Sequence, residues 1–167
     1  NSNVSNSPPS APTGLIADLL PDNDVRLRWL PTSDSLNTNA AGLSYAVRVG
    51  TTPGAADYVS PHADRASGYR RLPQRGPLSP NACLLRDVPK GTFYWSAQAI
   101  DAGFAGSTFA VEGSFTITNS RPFISAISNQ ITVPGRATQP INFIVSDAET
   151  DATNLVWELA GTNWNVI

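Results

Sequence analysis

The chain has 167 residues, 41% of them hydrophobic and only 14% charged, with 12 glycines and 14 prolines. Thirteen acids outweigh eleven bases and leave a net charge of −2, so no field exists to hold a nucleic-acid backbone. One cysteine (Cys83), one histidine (His62) and no methionine exclude a disulfide framework within the chain and a Cys/His metal cage. Short apolar stretches cut by Gly, Pro, Asn and Asp predict an all-β fold, in a chain too long for one small sandwich and short for two. No window approaches the roughly 18 apolar residues of a membrane span. The first residues have neither the basic nor the apolar section of a signal peptide, so the chain reads as a piece of a larger exported protein.

Residues 1–12 are mostly Asn, Ser and Pro and predict a flexible linker, because so little apolar surface cannot repay ordering. Asn3-Val4-Ser5 matches a glycosylation acceptor, a pattern that chance supplies in such a tail. A first module then spans 13–118. Thr13–Leu19 reads as a strand, and Pro21-Asp22-Asn23-Asp24 is turn chemistry leading into Val25–Leu30. There Val25, Leu27 and Trp29 alternate with Arg26 and Arg28, the mark of a strand with one wet face. Pro31 to Gly42 is a polar loop, after which Leu43–Val49 repeats the alternation and places Arg48 beside Arg26 and Arg28 on the outer surface.

Five prolines (Pro53, Pro61, Pro73, Pro77, Pro80) keep most of 50–80 out of a central ladder. This stretch predicts a surface excursion in which 66–72 adds a short edge strand. Ala82–Val88 and Phe93–Ile100 are the next strands, the latter with Phe93, Trp95, Ala97 and Ala99 inward. The last strand turns Phe109, Val111, Phe115 and Ile117 inward, with Gly113 as a bulge or weak spot. Seven short strands make one immunoglobulin-like sandwich of about 100 residues. Cys83 lies in an apolar run with nothing nearby to lower its pKa, and reads as a small core residue.

A second module, 119–167, begins after the junction Thr118–Pro122, where the alternation resets. Strands are predicted at 123–127, 131–133, 141–145, 155–159 and 164–167. So few residues bury too little surface to stand alone, so this sandwich reads as incomplete. Further strands of the same protein or a strand from a neighbouring subunit would complete it.

Trp29, Tyr45, Leu85 and the Gly91-Thr92-Phe93-Tyr94 strand entry resemble a fibronectin type III domain. More specifically, Tyr45–Gly54, Ser60-Pro61, Gly68–Pro73, Tyr94–Asp101 and Phe104–Ser107 resemble the fibronectin type III-like modules of large bacterial secreted proteins with FG-GAP/VCBS repeats. That likeness covers roughly residues 12–118 and implies a spacer or interaction module with no catalytic residues to carry over. In the family a tyrosine ties the corner at this strand entry, whereas the parity here selects Phe93 and turns Tyr94 out. Either the corner bond is missing or the register shifts by one. No Arg-Gly-Asp tripeptide is present to support integrin binding. Ile141–Thr150 resembles the opening half of immunoglobulin-like or cadherin-like tandem repeats of bacterial surface proteins.

Three constellations carry chemistry, each against a plainer reading. Asp147, Glu149 and Asp151 crowd one loop as calcium ligands would, in a place where solvated turns are also rich in Asp and Glu. In the resembling cadherin-like repeats such an ion stiffens a joint between modules. Arg26, Arg28, Arg48, Arg70 and Arg71 would receive anionic polysaccharide, although the first module balances nine bases against nine acids. Tyr58 and Tyr69, with Tyr94 and His62, would line a shelf for stacking on sugar rings. His62 has no Ser or Cys partner at a recognisable spacing, and no carboxylate pair sits where a cleft is expected.

The sequence therefore predicts a non-catalytic structural or adhesion module, extracellular or at the cell surface, with no cofactor unless calcium binds at the acidic loop. It would serve as a spacer or assembly unit of a larger secreted protein or filament. Its partners would be neighbouring modules or subunits, joined by sandwich contacts or strand addition, with polysaccharide as a further partner class. The alternative is a carbohydrate-binding accessory module of a secreted hydrolase.

Overall fold

The computed structural model describes residues 6–34, 42–78, 81–131, 133, 135–136 and 140–156. It divides into two compact units, Asn1–Thr118 and Asn119–Ile167. The fold is all-β, as the composition predicted, with no α-helix among the described residues.

Six strands build the first unit: β1 (Thr13–Leu19), β2 (Val25–Leu30), β3 (Ser44–Gly50), β4 (Ala82–Leu85), β5 (Gly91–Ile100) and β6 (Gly113–Ile117). They form two antiparallel three-stranded sheets, in the orders β1-β2-β4 and β3-β5-β6. The alternation in β2 has its physical counterpart: Val25, Leu27 and Trp29 are buried, while Arg26, Arg28 and Leu30 are exposed. The opposite sheet supplies Tyr45, Val47, Val49, Phe93, Trp95 and Phe115 to the same core. Rings knit the layers across the gap, with Trp29 5.4 Å from Tyr45 and 6.4 Å from Trp95 between centroids. Each fully buried Leu or Val contributes about 1.5–3 kcal/mol, so the core alone accounts for the preference for two layers.

The two sheets differ in what covers their outer faces. On β1-β2-β4 the outer face is wet. Every residue of β3 is buried, as are the last six of β5, so this part of their sheet is covered on both sides, while β6 keeps one exposed face. Ser96 Oγ donates to Ala110 O at 2.7 Å, and Ala99 N donates to Ser107 Oγ at 3.1 Å. These bonds dock the chain after β5 against its own sheet, satisfying polar groups that would otherwise be costly to bury.

Several expectations need correction. Residues 6–12 are no flexible linker: Asn6 Nδ2 donates to Asp101 Oδ2 at 2.9 Å, Ser10 N donates to Ser33 O at 3.0 Å, and Pro12 is fully buried. Proline needs no donor partner and lies extended at low entropic cost, so a Pro-rich segment can dock without many apolar residues. Residues 66–72 form no strand. Among the described residues of the excursion only isolated bridges occur, Val49 with Val59, Ala63 with Arg70 and Tyr45 with Leu78. Val111 is 92% exposed, not inward, while Ala110 is buried in its place. Ala110 N donates to Ala97 O at 2.9 Å, so the chain already runs beside the edge of β5 there and enters the ladder only at Gly113. That position suits glycine, because an added Cβ would lie 3.2 Å from Trp95 Nε1. Phe93 is indeed inward, 5.4 Å from Phe115, and Tyr94 faces out.

In the second unit β7 (Phe123–Ile124) pairs with β8 (Val145–Ser146), and Ser125 N donates to Ile144 O at 2.9 Å. The strands expected at 123–127 and 141–145 are thus much shorter. Residues 131, 133, 155 and 156 are not in strands, and 132 and 157–167 lie outside the described residues.

Candidate functional site

The 50–80 excursion is anchored at two points on the outer edge of β3. Val49 exchanges backbone hydrogen bonds with Val59 (3.0 and 2.9 Å), and Tyr45 does so with Leu78 (3.0 and 3.1 Å). Between these anchors the chain leaves the edge and returns, because prolines at 61, 73 and 77 cannot continue a ladder. Its far end is a tight turn in which Asp64 Oδ1 accepts from Ser67 N (2.8 Å) and Ser67 Oγ (2.7 Å). Those bonds hold the Asp64 carboxyl below the usual carboxylate range, the Ser67 hydroxyl contributing most. Gly68 then packs on the outer face, with its carbonyl accepting from the buried Gln98 side chain.

This route encloses a cleft of about 380 Å³ at the rim where β3 and β4 approach. Val59, Pro61, Pro77, Leu78 and the half-buried Cys83 supply its apolar walls, while Ser60, His62, Arg70, Gln74 and Arg75 supply its polar groups. Burial raises the Cys83 thiol pKa, consistent with an inert wall residue. Arg70 is only 8% exposed. Its guanidinium donates to Pro61 O and Gln74 O, each at 3.4 Å, and its Nε has no partner. Burial alone lowers its pKa.

The arginines do not make one basic face. β2 and β3 belong to opposite sheets, so Arg26 and Arg28 point away from Arg48. Arg48 is buried, 2.6 Å from Glu112 Oε2 and 5.4 Å from the centre of the Phe109 ring. Arg28 pairs with Asp18 at 2.6 Å in the open. Nor do the tyrosines form a shelf. Tyr58 tilts against Phe93 at 5.1 Å, Tyr69 is 68% exposed, and neither lines the cleft.

Asp147, Glu149 and Asp151 stay apart in function although close in sequence. Asp147 Oδ1 accepts from Glu149 N (2.9 Å) and Thr150 N (2.8 Å). Glu149 Oε2 accepts from Ser120 N (3.1 Å) and Oγ (2.5 Å), and Asp151 Oδ1 from Thr153 N (2.9 Å) and Oγ1 (2.7 Å). The Thr153 bonds lower the Asp151 pKa. Asp147 and Asp151 thus each fasten their own turn and Glu149 ties back to Ser120, and no group of three or more His, Cys, Asp or Glu among the described residues could hold a metal.

Fold and site together define an all-β sandwich module with a rim cleft. No family model and no curated protein matches the chain. Among solved structures, the Clostridium perfringens spore cortex lytic enzyme SleM is similar at 19% identity and a TM-score of 0.41. The match covers 66% of this chain and 29% of that one. No helix among the described residues is long and apolar enough to cross a membrane.

Proposed function

We propose that the chain is a non-catalytic extracellular or cell-surface module, a spacer and assembly unit of the fibronectin type III kind. The partition β1-β2-β4 against β3-β5-β6 supports that likeness, since it matches the A-B-E and C-F-G sheets of such sandwiches. The observation that carries the spacer role is how the chain passes through the first unit. The start of β1 lies beside the start of β6, with Pro12–Leu15 and Val111–Gly113 lining one shallow hollow. The two strands therefore run the same way, so the chain enters at one end of the sandwich and leaves at the other. Tension between its ends draws β1 and β6 lengthwise against their antiparallel partners, loading many hydrogen bonds together instead of opening them singly. The ties of Arg48, Ser96, Gln98 and Asp101 to surrounding segments spend buried polar groups on rigidity.

Pulling the full chain by its ends in a single-molecule force experiment tests this reading. Thr13–Ile117 should yield in one abrupt step releasing roughly 350 Å of contour length. Gradual extension at low force, without a discrete step, would contradict the spacer role.

A further inference from the structure

We infer that the rim cleft is a binding site for a carboxylate on a small, partly apolar body, with Arg70 as its anchor. A cationic side chain removed from water is strongly unfavourable unless paired. Among the described residues Arg48, Arg28 and Arg86 each have an acid partner, at 2.6, 2.6 and 3.2 Å. Arg70, although as buried as Arg48, has none. Its two bonds are long and go to neutral carbonyls, so most of its five N–H groups are unused. Glutamate and aspartate are absent from the cleft lining, so the cleft contains a desolvated cation and no counter-charge of its own.

The surroundings add direction. Arg75, which among the described residues makes a 3.4 Å bond to Gly42 O, lines the same cleft as a second cation. His62 is held at φ 54° in the cleft wall, an unusual backbone state for a residue with a side chain. A guanidinium matches a carboxylate through paired, charge-assisted hydrogen bonds, while Val59, Pro61, Pro77 and Leu78 offer apolar contact to the remainder of the ligand. The volume falls in the ~300–1,000 Å³ range of ligand clefts and suits one sugar ring or one aromatic ring.

The test titrates the full chain, at constant ionic strength, with galacturonate, benzoate and neutral galactose, followed by backbone amide shifts. At least one acid should produce saturable shifts in residues 59–62 and 70–78, with galactose giving none at the same concentration. Saturation by galacturonate alone identifies a sugar acid, and by benzoate alone an apolar acid. Arg70→Met should weaken binding at least ~10-fold, the expected loss for a charge-assisted bond. Arg70→Lys, which keeps the charge without the planar fork, should retain part of the affinity and guards against misfolding of the Met variant. Arg75→Gln should cost about threefold, as a more exposed contact. The inference is overturned if neither acid saturates below ~50 mM, if galactose shifts the same amides equally, or if folded Arg70 variants bind as the parent does.

Discussion

Gly68 shows how one residue sets the path of the whole excursion. Its φ of 76° lies in the left-handed region, and a Cβ there would stand 2.1 Å from Ser107 O and 2.9 Å from Gln98 Nε2. Two costs therefore fall on Gly68→Ala: about 1–2 kcal/mol of backbone strain and about 1–3 kcal/mol of forced displacement. Gly54 separates them, since its φ is 75° and a Cβ there would meet nothing within 4 Å. Gly54→Ala should cost only the first, and Gly68→Ala should lower the thermal midpoint clearly further. Equal midpoints for the two variants would mean that the excursion is not pressed onto the sheet at Gly68. The sequence shows Gly68 only as one glycine in a turn-rich stretch, because the partner that makes it necessary, Ser107, is 39 residues away.

Among the elements, what alternation reveals depends on how many faces a strand buries. In β2 one face is wet, so Val25, Leu27 and Trp29 could be assigned inward from sequence alone, and Phe93 and Trp95 in β5 likewise. β3 has the same alternation, yet Arg48, at an outward position, is buried because the 51–57 turn and residues 109–112 close over it. No local pattern announces a cover supplied from 64 residues away. The rim cleft was hidden for the same reason: Arg70 reads as a surface arginine in a Pro-rich stretch until Val59 and Leu78 are pinned to β3. Glu112 is the keystone of that cover, accepting from Arg48 Nη1 at 2.6 Å and from Gly54 N at 2.9 Å. Glu112→Ala leaves a buried guanidinium without its acid and should destabilise the first unit by about 3 kcal/mol in chemical denaturation. Asp18→Ala, which breaks the exposed pair with Arg28, should barely move the midpoint. If the two variants lose the same stability, the Arg48–Glu112 pair is energetically a surface pair and the cover is held by other contacts.

At the scale of the molecule the two units use apolar residues in opposite ways. In the first unit Val25, Leu27, Val49, Trp95 and Ile100 are at most 1% exposed. In the second, Ile131 is 96% exposed, Val156 98% and Ile144 66%, with Phe123 and Ile124 each at 59%. Isolated exposed apolar residues are ordinary, but so many in one short segment, with a single two-stranded pairing among the described residues to organise them, favour burial against another body. The proposed assembly role would bury these side chains against a neighbouring module or subunit. This gives the assembly half of the proposed role a direct test. The sedimentation coefficient of the full chain should rise with concentration across roughly 1–100 µM, a span matching interfaces of modest affinity. Ile131→Ser combined with Ile144→Ser should flatten that rise without changing the near-ultraviolet signature of the Trp29–Trp95 core, which lies wholly in the first unit. A chain that sediments as a monomer throughout would remove self-assembly from its role and leave the spacer function of the first unit to stand by itself.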